Sequence, residues 1–302
     1  MSLEKKLKKD IESIHLPQTE KDVLFADFQT FLKDNPVSVP SPFKLGYSTM
    51  FKYAGMFILF IMIGVTSVQA EKALPGDLLY SVKTNINENI YKVLSFTELQ
   101  QIETQITLTE RRLKEVSQLV AEDRFEFENS QVLRDEINKS TNIINEYIDD
   151  NQEEGNISHA LNVALELQTV IRAHEKVIEE IAVKHPQNAA SVLEIQDNIN
   201  DQQKVVDQIV EENTVLLVKD ASSDEALVEN TENSLAELES TLEQSSEITT
   251  STREVVQQAI QKGKEKVAVG NYAEAFILFE EAHQILQQII IIEDQQDTLE
   301  RY

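Results

Sequence analysis

Residues 99–120 read LQQIETQITLTERRLKEVSQLV. Leu99, Ile102, Ile106, Thr109, Leu113, Val116 and Val120 recur at alternating steps of three and four. That is a heptad seam, and it predicts a long helix with one buried stripe. Similar spacing returns in Ile157, Leu161, Ala164, Leu167, Ile171, His174, Ile178 and Ile181, and again in Val192, Ile195, Ile199, Gln202, Val206, Ile209, Asn213 and Leu216. Only 7 glycines and 6 prolines occur in 302 residues. Both residues break helices, so their scarcity favours long uninterrupted ones. The expected fold is all-α, an elongated antiparallel bundle of coiled-coil-like hairpins. His174 is expected as a core histidine, because a lone histidine without a spaced partner is no metal site. Gln202 and Asn213 interrupt their seam as polar residues that fix register or partner choice.

The joints between helices are also readable. Ser95 with Glu98 predicts a capping box ahead of the first seam. Residues 121–129, AEDRFEFEN, lose the period and predict a junction that exposes Phe125 and Phe127. A helix over Val132–Ile148 then leads into DDNQEEGN at 149–156, a polar turn capped by Asn156. Asp150, Glu154 and Gly155 sit at calcium-loop positions, but Gln152 and Leu161 occupy places where calcium needs charged oxygen ligands. His185-Pro186 ends the next helix. Ser222 with Glu225 opens a last helical region, whose stripe Leu235, Leu238 and Leu242 fades in residues 244–252, read as a solvated stretch, a kink or a hinge.

Ahead of the bundle, YAGMFILFIMIGVTSVQA covers 53–70 between Lys52 and Glu71. Its 18 residues give about 27 Å of helix at about 1.5 Å per residue, close to a bilayer core of about 30 Å. A single transmembrane helix is therefore expected over 47–70, with Tyr53 at one interface and Phe57, Ile58, Leu59, Phe60, Ile61 and Ile63 at its centre. Lys44 and Lys52 precede it, which places the N-terminus in the cytoplasm and the body outside. The alternative is cleavage after Ala70, where Val68-Gln69-Ala70 has suitable spacing, but a 52-residue leader region is too long for an ordinary signal peptide.

Two short amphipathic helices are expected in 1–34. The second carries the stripe Leu24, Phe28, Phe31 and Leu32. A proline-rich linker follows over 35–46. So small a unit needs something to rest on, either the membrane surface or a cytoplasmic protein partner through Leu24, Phe28 and Phe31. A zinc-binding anti-sigma pattern is excluded, since the tail offers His15 alone and the chain has no cysteine.

Of 27 basic and 53 acidic residues, eight and seven lie in 1–52, leaving 19 and 46 in the remainder. Such a body repels nucleic acid and anionic lipid. The absence of cysteine removes disulfides and thiolate sites.

Directly after the span, Pro75-Gly76 predicts a tight turn and Asp77 the N-cap of a helix with the stripe Leu79, Val82, Ile86, Ile90 and Val93. The order ALPGDLLYSVK, then NINENIYKVLS, then TERRLKEVSQLVAED resembles an uncharacterised bacterial domain family found after a single transmembrane helix. The matching residues are Pro75, Gly76, Asp77, Leu79, Tyr80, Val82 and Lys83, with Glu110, Arg111, Arg112 and Leu113, within about residues 36–125. The resemblance implies a membrane-anchored helical domain and brings no activity. Arg111 and Arg112 are read as helix-surface partners of Glu110 and Glu115, and Tyr80 and Lys83 as packing and surface groups. Near the C-terminus, VAVGNYAEAFILFEEAHQIL resembles the second half of a tetratricopeptide repeat through Gly270, Tyr272, Ala275, Phe279 and Ala282, with Gly263 before them. One such unit reads as a closing hairpin. The run Ile289–Ile292 needs cover on more than one side.

The expected units beyond the span are 71–125, 126–220 and 221–302. No phosphate loop, nucleophile elbow or zinc-protease motif occurs, so no catalytic, cofactor or metal residue is assigned and no enzyme or small-molecule substrate is expected. The expected partners are the lipid bilayer and a protein or second copy. The leading role is a structural or interaction protein of the envelope. The alternative is a signal transducer whose tail holds a cytoplasmic regulator.

Overall fold

The structure, a computed structural model, describes residues 69–219, 224, 226–245 and 248–299. Leu24, Phe28 and Phe31, the expected span residues 53–68, and Ser222 and Glu225 lie outside the described residues. Within them the fold is all-α and contains no strand. Helix α1 is continuous in three pieces, Tyr80–Val82, a π-helical turn Lys83–Asn87 and Glu88–Leu94. There follow α2 (Glu98–Ala121), α3 (Phe127–Glu154), α4 (Ile157–Lys184), α5 (Ala189–Lys219), α6 (Leu227–Gln244), α7 (Thr250–Ala268) and α8 (Tyr272–Leu299).

The heptad seam of α2 is the buried stripe from Ile102 to Val120, while Leu99 at its start is half-exposed. The cap lies two residues later than the sequence predicts. Thr97 Oγ1 accepts the Gln100 amide and the Gln100 side chain accepts the Thr97 amide. Ser95 instead donates to the Tyr91 carbonyl. Helix α4 is the centre of the bundle. It packs on α2, α3, α5 and α8 and is apolar on most of its circumference, so the seams close within one chain. Leu113, Val116, Leu133, Ile144, Leu167, Ile178 and Ile195 meet in that core and are fully buried. Each side chain of this kind contributes about 1.5–3 kcal/mol through burial.

Two joints differ from expectation. Phe125 is buried in the core and only Phe127 is exposed: the junction turns Phe125 inward because α3 begins directly after it. The polar stretch 149–154 is helical rather than a turn, and α3 ends at Gly155, whose φ of 84° is the left-handed cap that glycine adopts without strain. Asn156 makes no side-chain cap. In α5, Asn198 and Gln202 both donate to Asn138 Oδ1 of α3 at 2.9 and 3.0 Å, whereas Asn213 donates to the Ile209 carbonyl of its own helix at 2.9 Å.

The weak stretch after Leu242 is a junction between helices. Arg253 of α7 donates to the Leu242 and Ser245 carbonyls at 3.0 and 2.6 Å, satisfying the open C-terminal end of α6. α7 and α8 form the expected hairpin, with Gly270 at φ 76° between them. Ala275, Phe279 and Ala282 are all buried. A Cβ on Gly263 would overlap the Phe279 ring, so glycine there is what lets α7 and α8 approach. Among the described residues, Tyr272–Gln296 is long and apolar enough to cross a membrane, with mean hydropathy 1.3. In the fold it packs on α4, α6 and α7. Ile289 and Ile290 lie against the α6–α8 core and Ile291 and Ile292 against the α2–α5 core, which accounts for an apolar run wider than one stripe.

Candidate functional site

The first described residues form a turn locked from both sides. Leu74 N–H donates to Asp77 Oδ2 at 2.8 Å and Asp77 N–H to the Leu74 carbonyl at 2.9 Å. Gly76 occupies φ 92° between them, a conformation that costs other residues about 1–2 kcal/mol. Asp77 is not the N-cap of α1, since the helix starts three residues later without a side-chain cap. Its other oxygen reaches Arg124 at 2.5 Å. Slight burial opposes ionisation of Asp77, but the Leu74 amide and Arg124 hold its carboxyl below the usual range.

Beyond the turn, charge goes inward. The π-helical turn places Lys83, Asn87 and Glu88 on the side of α1 that faces α2, and all three are buried. Lys83 Nζ lies 2.6 Å from Glu115 Oε1 and donates to the Ala73 carbonyl at 3.0 Å. Arg112 bridges Glu88 on α1 and Glu115 on its own helix, the latter at 2.6 Å, and is 1 % exposed. Tyr80 O–H donates to Glu115 Oε2 at 3.1 Å, and its ring lies 5.6 Å from the Arg112 guanidinium. Burial, with Glu115 beside it, pushes the Tyr80 phenol far up. At the rim, Arg111 meets Glu71 at 2.8 Å and stacks 5.5 Å over Tyr91, while Asn87 donates to Glu71 at 3.0 Å.

Three cations, Lys83, Arg111 and Arg112, therefore face three carboxylates, Glu71, Glu88 and Glu115. Burial of one such charge alone would be prohibitive, and mutual pairing is what makes the network tolerable. Each carboxylate is already paired with at least one cation. The arrangement is suited to holding two segments together.

Most of the sequence motif thus converges. Gly76, Asp77, Tyr80, Lys83, Arg111 and Arg112 lie in the turn or the network, beside a buried Pro75. Leu79 and Val82 are half-buried, and Leu113 is in the core. Arg112 and Lys83 are not surface groups, and Arg111 pairs with Glu71 rather than Glu110. Glu110 points elsewhere: it pairs with Lys114 at 3.0 Å and lies 3.9 Å from the buried His174, and Lys114 also reaches Asp294 of α8 at 3.1 Å. Burial opposes the charge on Glu110, but His174 and Lys114 hold it at about 2, while burial keeps His174 below its usual value. Glu71, Asn87, Glu88 and Arg124 escaped the sequence reading. Their signal was slight: Glu88 is the one acid between Leu78 and Thr97.

A cleft of about 300 Å³ lies between α4, α5 and α8. Four of its polar side chains bond one another. Arg172 and Gln168 meet Asp207 at 2.8 and 2.6 Å, and Gln284 donates to Gln168 at 2.8 Å.

Residues 72–215 match the family described as a domain of unknown function (DUF5667). The DUF5667 match begins at the turn, includes the network and runs through most of α5. It extends well past residue 125, the end of the stretch that carries the resemblance in the sequence, and starts after the uncharged stretch. The α6–α8 region lies beyond it. No curated protein and no solved structure matches the chain.

Proposed function

We propose that the chain is a single-pass membrane protein that displays an acidic helical bundle outside the cytoplasm, with a structural or protein-binding role and no catalysis. The observation that carries this reading is the buried network. It clamps the residues that follow the uncharged stretch onto α2, so an anchor at 53–70 would be joined to the bundle through a rigid joint. A domain meant to roam on a tether would instead follow a flexible glycine- and serine-rich linker. The paired carboxylates of the network support the absence of catalysis, and the surplus of acids argues against nucleic acid as partner. The partner in this reading is a protein or a second copy.

Carbonate extraction of membranes, followed by protease treatment of intact spheroplasts, tests the topology. The protein should stay in the pellet and its body should be digested from outside. Release by carbonate, or protection of the body, contradicts the reading.

The rigid joint also suits the second reading, a transducer that passes a change in the bundle to a tail regulator. Crosslinking of the full chain in cells, at positions 24, 28 and 31, separates the two. Recovery of one specific cytoplasmic regulator favours the transducer, and recovery of lipid alone favours the scaffold.

A further inference from the structure

Helix α1 is inside out. Its inward side carries Lys83, Asn87 and Glu88, and its outward side carries Ile86, Ile90, Val93 and Leu94, which are 45, 52, 75 and 58 % exposed. Leu78 before the helix and Phe96 after it are also exposed, at 97 and 82 %. The spacing places Ile86, Ile90 and Val93 on the apolar stripe of a helix, and in the structure that stripe is exposed because the ionic network occupies the buried side. So many large apolar side chains exposed on one short helix mark a place of association.

We infer that this face lies in the lipid headgroup and acyl boundary of the membrane that anchors the chain. Two observations select lipid. The first is position: Leu78 is eight residues past Ala70, at most about 28 Å of extended chain, so α1 cannot leave the neighbourhood of a span that ends there. The second is charge. From Leu78 to Thr97 the single acid is Glu88, and it is 2 % exposed. The outward face of α1 therefore shows no carboxylate, in a region that holds 46 of the 53 acids of the chain. Lys92 at its edge can extend its ammonium toward headgroups, and Tyr91 and Phe96 are ring types found at that depth. An interfacial helix buries such a face about 5–10 Å into the boundary. The network and the apolar face are two sides of one device: the charges hold α1 to the bundle, and the bundle holds α1 flat against lipid.

This inference rests on the anchor proposed above, and the test separates the two. The chain has no cysteine, so a bimane fluorophore can be placed at one site at a time in the full chain: Ile90→Cys, Phe96→Cys, Ile61→Cys in the expected span, and Asn142→Cys on the exposed side of α3. The variants are reconstituted into brominated phosphatidylcholine vesicles and probed with aqueous iodide. Circular dichroism of each variant should match the parent, since the two α1 sites and Asn142 are exposed. Bromine should quench the labels at 90 and 96 by a loss of emission comparable with that at 61, and leave 142 unquenched. Iodide quenching at 90 and 96, with bromine quenching at 61, overturns the lipid face and keeps the anchor. Shielding of 90 and 96 from both quenchers overturns it in favour of a covering protein, a second copy included. Bromine quenching at 90 and 96 without quenching at 61 supports the lipid face and removes the anchor. Iodide quenching at all three removes both.

Discussion

Glu88 and Arg112, 24 positions apart, meet as an ion pair with both side chains almost wholly buried. Arg112 also holds Glu115, which in turn takes Lys83 and Tyr80. Removing the arginine would leave two carboxylates buried without their shared cation. Arg112→Met should therefore cost about 3–5 kcal/mol, read as a lower midpoint in urea unfolding followed by circular dichroism. Arg112→Lys should recover only part of this, because an ammonium cannot span both carboxylates as the planar guanidinium does. A midpoint unchanged in Arg112→Met would mean that the network contributes nothing.

The turn before it makes a smaller but independent contribution. Gly76→Ala places a Cβ at φ 92°, where the space is open enough, with Asn129 Oδ1 at 3.5 Å, so the effect is conformational. The expected loss is about 1 kcal/mol, visible as a small drop in thermal midpoint.

Gly263 acts through space rather than through φ. Gly263→Ala drives a methyl into the Phe279 ring and should cost about 1–3 kcal/mol by overpacking. The double variant Gly263→Ala with Phe279→Leu should lose less than the two single losses added together, because the smaller side chain makes room. Strict additivity in this cycle would show that the two residues do not touch.

Stability should depend on pH through two carboxylates of opposite kind. Burial pushes Glu280 up to about 7, with Ser234 opposing and Glu237 adding to the shift. Its folded value lies above that of the unfolded chain, about 4.3. The folded state therefore keeps its proton longer, and the stability so gained is full below about 4.3 and lost as pH rises through about 7. The loss is about 4 kcal/mol at most. Glu110, held at about 2, behaves in reverse: its contribution is present above about 4.3 and lost as pH falls toward 2. Glu280→Gln should flatten the decline between pH 4.5 and 7 and raise the urea midpoint at pH 8. A decline left intact would assign it to other groups.

The legible parts of the fold were those where apolar spacing decides. The stripe from Ile102 to Val120, the seam of α4 and the small and aromatic positions of the α7–α8 hairpin were all readable, because burial there is bought by hydrophobic side chains at helical period. Helix α1 was misread for the same reason. Its Ile86, Ile90 and Val93 have core spacing, yet a charge network fills the buried side, and periodicity has no way to register that lysine or arginine and glutamate pair across 24 and 32 residues. Phe125 shows the companion failure: a single aromatic outside any period can still be core when the next helix begins right behind it. The candidate site was half-visible, as a motif whose residues converge but whose partners Glu71, Glu88 and Arg124 lie outside it.

The central claim is that α1 and the turn before it are an integral part of the bundle, joined to α2 by buried charge. Native-state hydrogen exchange of the full chain in vesicles tests it most directly. The amides of Tyr80–Leu94 should exchange as slowly as the central amides of α2, with the two falling apart in Arg112→Met, where α1 alone becomes fast. Rapid exchange of Tyr80–Leu94 in the unaltered protein, alongside a protected α2, would show a loose tether and contradict the account.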